Sequence, residues 1–464
     1  MRTTTASPGG ADAATTARDA GADTTTRRVK GTRRKTIEKA QRPKKKKTQK
    51  LPETWTASLA AFLVRNQIRM SLTLIISLAT THIFCPHLRP ITRKFYEISY
   101  YNESTGKYGK GLDDLYLVFF WITLFTFLRS TILDYVLLPL AKMGGINTKK
   151  GIVRFTEQAW LLVYYSVFWG VGMNLMSGSP YWLNMEELWT DYPVYEVSGL
   201  FKWYYLAQFA FWLQQIFVLN IEEWRKDHWQ MFAHHIITCA LISASYTHHL
   251  TRVGHVILCI MDVIDILLSA AKLLKYLGYS TLCDYAFGIF MVGWIVGRHG
   301  IYNMITWSVY RDSGRLITPA CYSRASDSII PGLEVSWPIT RDTFLFKSDT
   351  VCFTDDVRRV FLILLVGLQI ITLIWLYMIF RVAWRVVTGA GADDTRSEDE
   401  LSDDDQDIQE EQESSGDSEE LEQMEEIGEA IGEAEIRAVN GLKKKETVVD
   451  KYGRVTRSRA KRGD

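Results

Sequence analysis

Eight long apolar runs, at about 69–86, 114–138, 159–177, 200–220, 230–247, 253–274, 284–309 and 358–384, leave this 464-residue chain few folds to choose from. A bilayer core about 30 Å thick takes roughly 20 apolar residues per helical crossing. Inside it every backbone N–H and C=O must find its partner within the chain, which restricts spanning structure to helices or closed barrels. Runs of this length are helical. The expectation is an all-α polytopic membrane protein with about eight transmembrane helices. The first run is the weakest of them, because Thr80, Thr81 and His82 interrupt it.

Composition matters here only through its division along the chain. A net charge of +2 is the sum of a basic head and an acidic tail. Six regions follow: a basic N-terminal region (1–68), two helices with their loop (69–140), a core (141–310), a long loop (311–357), a last helix (358–384) and a tail that is acidic, then basic (385–464). Residues 1–26 have no apolar periodicity and are expected to be disordered. Residues 27–50 carry thirteen Lys or Arg against one Glu. Such a run suits nuclear import, nucleic acid or anionic lipid. Next to a spanning helix it reads as a solvated cytosolic flank, and no nucleic-acid partner is expected. Residues 393–435 hold twenty-one Asp or Glu and one basic residue, Arg396, which reads as a solvated disordered tail. Ser397, Ser402 and Ser414 each have an acid three residues on, a pattern that acidophilic kinases prefer. Leu421, Met424, Ile427 and Ile431 are spaced for one weak amphipathic helix. No cleaved signal peptide is expected at the start.

Loop charge gives an orientation. Lys142, Lys149, Lys150 and Arg154 follow the second run and read as cytosolic; Glu186, Glu187, Asp191 and Glu196 follow the third and read as lumenal. Trp224–Lys226 return to the cytosolic side, and eight crossings put both termini in the cytosol. Asn102-Glu103-Ser104 is then a glycosylation sequon on the lumenal side. Cys321 and Cys352 share the last lumenal loop, where a disulfide can form. Cys85, Cys239, Cys259 and Cys283 fall in or beside spans and read as packing residues.

The polar residues inside the spans carry the chemistry. His234 and His235 sit in one run, and Asp262 and Asp265 in the next. A carboxylate at the centre of a spanning helix is unfavourable by about 2.5–3.5 kcal/mol on insertion scales, and such residues are functional by default. For antiparallel helices with a turn at 248–252, His235 and Asp265 lie at equal depth, about 22 Å from the turn at 1.5 Å per residue. Asp262 and Asp265 are expected to share a face with Ser269 and Lys272. With a lumenal turn, the cluster lies in the cytosolic half. Arg298, His299 and Asn303 interrupt the seventh run and, with Ser269, are candidates for the same cavity. His228, His248 and His249 read as interfacial and His255 as structural. Trp203, Tyr204, Tyr205 and Trp212 read as the aromatic belts of interfaces and lipid-facing helices. No phosphate-cradling glycine loop or GxSxG elbow stands out. Imidazole with carboxylate supplies a general base or a nucleophile whose cation is stabilised, which suits acyl transfer to an amine.

WRKDHWQMFAHHIIT (224–238) followed by MDVIDILLSAAKLLKY (261–276) resembles the longevity-assurance motif of ceramide synthases within a TLC domain, in wording closest to the fungal branch. The resemblance is good over 150–310, with the motif at 222–276, and looser over the flanking spans. It implies a TLC-type helical bundle in the endoplasmic reticulum membrane, among membrane lipids. It also implies N-acylation of a sphingoid base (dihydrosphingosine or phytosphingosine) by fatty acyl-CoA, giving ceramide and CoA. Acyl-CoA is then a substrate, and no cofactor or metal is expected. By the same resemblance His234 is the nucleophile forming an acyl-imidazole, His235 handles protons, and Asp262 and Asp265 orient the imidazoles. Direct attack by the amine, with one histidine as base, is the alternative route. The resemblance further implies a small single-span subunit, a homodimer, and acyl-chain preference set within 311–357. Two other readings compete: a non-enzymatic TLC-type lipid sensor or chaperone, and a di-iron lipid hydroxylase, which needs several histidine boxes, whereas His228 lies six residues before His234, outside box spacing, and the chain has nine histidines altogether.

Overall fold

The computed structural model describes residues 55–221, 227–324, 328–330 and 337–388. Both charged tails, the three candidate phosphorylation serines Ser397, Ser402 and Ser414, and Trp224–Lys226 lie outside the described residues.

Eight long helical segments run through the described residues in the order of the eight apolar runs. They are α1 (Trp55–Phe84), α2 (Asp114–Met143), α3 (Lys149–Ser177), α4 (Gly199–Ile221), α5 (His228–Thr247), α6 (Thr251–Tyr276), α7 (Ser280–Leu316) and α8 (Asp355–Val387). Helix α1 starts well before the expected residue 69. Its first half is too polar to count as an apolar run, yet it holds no Gly or Pro, and the helix ends just short of Pro86. Thr148 and Thr354 cap α3 and α8, their hydroxyls accepting the N–H of Gly151 and Val357. Among the described residues, five segments are long and apolar enough to cross a membrane: α1 (from Ser58), α2, α3, α7 and α8 (to Val386). The other three, α4–α6, carry the polar residues described below.

Helix α3 packs along α6, and Gly172 makes a close approach possible. A Cβ there would lie 2.6 Å from Cys259 Sγ and 2.8 Å from the Tyr204 hydroxyl oxygen. Small residues at helix crossings serve this purpose in membranes. Helix α4 runs through the largest apolar cluster, with Tyr204, Tyr205 and Phe211 fully enclosed and Trp212 almost so. This corrects the aromatic-belt reading of Tyr204, Tyr205 and Trp212: their rings pack inside the bundle.

At one end the loops form a cap. A hairpin pairs β1 (Tyr101–Asn102) with β2 (Lys107–Tyr108), and a three-stranded antiparallel sheet has the order β4 (Ser328–Ile330), β3 (Ala320–Ser323), β5 (Thr350–Phe353). Cys321 and Cys352 face each other across β3 and β5 and are joined by a disulfide. Closing a loop over 31 residues removes unfolded-state entropy equivalent to about 3–4 kcal/mol in the chain-entropy view. Alkylation without reductant should therefore leave both thiols unlabelled. Cys321→Ser should expose Cys352 to the reagent and lower the melting temperature; free labelling of both in the native protein would refute the bridge.

Buried charge ties this cap to the helices. Lys202 on α4 ion-pairs with Asp114 at 2.6 Å and donates to the carbonyls of Ser99 and Gly109. Lys110 donates to the Val194 carbonyl and lies 3.4 Å from His249 Nδ1. Burial, reinforced by the nearby Lys202 charge, pushes the Lys110 ammonium well below the usual lysine range. His248 and His249 are both buried beneath the cap, not at an interface as expected, because the α5–α6 turn packs under the chain at 192–197. Asn102 is half-buried, and its Nδ2, the atom a glycan would occupy, donates to Glu196 at 2.7 Å.

Candidate active site

Four helices converge on the polar cluster. His234 and His235 on α5 are 7% and 5% exposed, and Asp262 on α6 is fully buried. Adjacent residues on a helix point about 100° apart, and an i,i+3 pair about 60° apart. Both pairs are accordingly split. His234 and Asp265 line one apolar cavity; His235 and Asp262 do not. The two aspartates are i,i+3 neighbours on α6, and Asp265 is the one that reaches the cavity wall.

Each carboxylate has its own holder. Asp265 ion-pairs at 2.6 Å with Arg298, a residue of α7 that is itself only 2% exposed. The helix has a π-helical turn at Ile295–Ile301, a distortion often found at functional sites. The Arg298 guanidinium also stacks on Trp294, 4.4 Å from the ring centre. Asp262 instead accepts from Gln208 Nε2 on α4 at 2.6 Å, and Tyr164 on α3 donates to Gln208 Oε1 at 2.7 Å, fixing which way the amide points. One aspartate is thus charge-neutralised, and the other accepts from one neutral donor. No hydrogen bond joins either imidazole to either carboxylate among the described residues, and Nδ1 of both histidines is without a partner.

The histidines are held by aromatic rings. Trp212 lies 5.6 Å from the His234 ring and 5.4 Å from that of His235, and Trp375 on α8 packs on His234 at 5.1 Å. From this point a cavity extends toward the cap between α5, α6, α7 and α8. Its wall is mostly apolar, with Leu241, Ile257, Met261 and Leu368 along its length and Phe353, beside the disulfide, at the cap end. Of the other candidates for this cavity, Arg298 lines it. His299 does not; it bonds Gln369 at 2.7 Å and accepts from Trp294. Asn303 is exposed and turned back onto the His299 carbonyl, and Ser269 is buried elsewhere on α6. The arrangement is a long apolar pocket with a nucleophilic or basic imidazole and a neutralised ion pair at one end.

Comparison with known proteins agrees. The TLC domain family model (TRAM_LAG1_CLN8) matches residues 154–381. The sphingosine N-acyltransferase-like protein ALT7 of Alternaria alternata is 44% identical over 311 residues, 66% of this chain and 72% of the relative. The chain belongs to the ceramide synthase family. Two more relatives span it similarly. Ceramide Synthase FUM18 of Gibberella moniliformis is 40% identical, over 70% of this chain and 77% of its own. Sphingosine N-acyltransferase lag1 of Schizosaccharomyces pombe is 41% identical, over 71% and 79%.

Within this ceramide synthase homologue, sequence reasoning passed over α4. Gln208 and Trp212 lie one turn apart on it and face the cluster. A signal was present: Lys202, Gln208, Gln214 and Gln215 are polar residues inside an apolar run.

Proposed function

We propose that the protein is an acyl-CoA-dependent sphingosine N-acyltransferase, a ceramide synthase, joining a fatty acyl group to the amine of dihydrosphingosine or phytosphingosine. The observation that carries this is the cavity. His234 stands at one end of a long apolar chamber, which suits a fatty chain lying along it with the thioester at the imidazole. In the proposed sequence His234 attacks the thioester carbonyl, the C–S bond breaks, and CoA leaves as thiolate, taking up the proton that the imidazole gives up. The sphingoid amine, deprotonated by His235, then attacks the acyl-imidazole and regenerates His234. Asp265, neutralised by Arg298, shapes the chamber end, while Asp262 balances the positive charge that develops on the imidazoles. Acyl-CoA is a substrate in this scheme, and no cofactor is required. Neither the lipid-sensor nor the hydroxylase alternative is favoured by the named relatives. The direct test is ceramide production by the purified protein from palmitoyl-CoA and dihydrosphingosine; no product from any acyl-CoA would reject the proposal.

The same reading places the protein in the endoplasmic reticulum membrane with eight spans, both termini cytosolic and the cap lumenal. Epitopes at either terminus should be cut by protease in intact microsomes, while one inserted at 325–327 stays protected. A protected C-terminus would mean an odd number of crossings. On the family resemblance, the proposal also includes a small single-span subunit and a homodimer, which cross-linking in membranes would detect. Glycosylation at Asn102 would forfeit its bond to Glu196; a glycosidase-sensitive mobility shift would establish it.

A further inference from the structure

Trp212 combines three properties that packing alone does not explain. The indole lines the chamber that holds His234, its ring touches both histidines, and it is only 4% exposed. Its Nε1–H nevertheless has no acceptor among the described residues. A buried donor without an acceptor is destabilising and rare in native proteins. Trp160 and Trp375 have similarly unpaired N–H groups, but neither indole is part of the chamber wall. Arg298 Nε and Thr238 Oγ1 also line the chamber without a partner among the described residues, the Arg298 terminal nitrogen being paired with Asp265; Trp212 differs from both in packing its ring against the two imidazoles.

Acyl transfer creates a need for such a donor. When a nucleophile adds to the thioester carbonyl, a new bond forms to carbon and the π electrons move to oxygen, giving an oxyanion. That oxygen is neutral in the substrate and loses its charge again when the C–S bond breaks and the thiolate departs. A preorganised donor in a water-poor site stabilises the charged state selectively. We infer that the Trp212 indole N–H is an oxyanion donor of this enzyme, a catalytic residue beside His234. The inference rests on the acyl-transfer reading but not on which nucleophile is correct. Direct attack by the amine passes through the same oxyanion.

The test is Trp212→Phe in the purified full-length protein, read with palmitoyl-CoA and dihydrosphingosine, together with binding of S-hexadecyl-CoA, a thioether with no carbonyl. The expected result is a fall in kcat of about 10²–10³, with thioether binding changed by no more than about threefold because ground-state contacts remain. A second variant carries benzothienylalanine at 212, which keeps the outline of the indole and lacks the N–H. It should behave the same way, and it is the one to read if Trp212→Phe does not fold. A near-normal kcat in the folded variant, or thioether binding that falls in parallel with kcat, would overturn the inference. His234→Ala keeps the two questions apart. If it is inactive while the Trp212 variants turn over normally, the site stands and the donor is wrong. If it is active while they are slow, the donor stands and the nucleophile is wrong.

Discussion

His234→Ala should lower ceramide formation by about 10⁴-fold, the scale lost when a nucleophile or its proton-transfer partner is removed. The protein should still fold, since alanine suits a helix and the Trp212 and Trp375 rings that flank the imidazole remain. The covalent route makes a second expectation. With acyl-CoA and no sphingoid base, mass spectrometry should find one acyl group on the peptide containing His234. It should be absent in His234→Ala and released as ceramide when base is added. His235 packs against Trp212 outside the chamber wall, so the adduct should not appear there. Full activity in His234→Ala would reject its role outright. An active wild-type enzyme with no adduct would favour direct attack by the amine, with His234 as general base.

Arg298→Met should be the most destabilising single change at the site. It leaves the Asp265 carboxylate without its cation in a place where the Arg298 side chain is 3% and the Asp265 side chain 17% exposed. Removing one partner of a buried pair typically destabilises by about 3–5 kcal/mol. The melting temperature in detergent should fall sharply. Adding Asp265→Asn should recover most of the loss, since the unpaired charge then disappears and the two effects are coupled. Turnover should stay low in the double variant, because the chamber end has lost the pair that shapes it around the thioester. A single Arg298→Met protein that melts and turns over like the wild type would show that the ion pair contributes neither to stability nor to the site. If the double variant regains activity along with stability, the pair is purely structural.

Much of the architecture is local and therefore legible. An apolar run of membrane length has one backbone solution, so the eight runs correspond to eight long helices. The 1.5 Å rise per residue is equally local, which is why counting from the α5–α6 turn set His235 and Asp265 at matched depth before any packing was considered. The HH and DxxD pattern pointed to the family. What the tertiary structure decided is rotation and neighbours. With 100° between successive residues, a small turn of α5 or α6 determines which histidine and which aspartate meets the chamber. The outcome, His234 with Asp265, depends on contacts with α4, α7 and α8 that no single segment encodes. Partners such as Gln208 for Asp262, Arg298 for Asp265 and Lys202 for Asp114 come from helices distant in sequence. Aromatic residues were the hardest to place. Lipid is as apolar as a protein core, so hydropathy alone cannot distinguish a ring that faces the bilayer from one enclosed in the bundle, and only helix packing puts Trp212 beside the histidines.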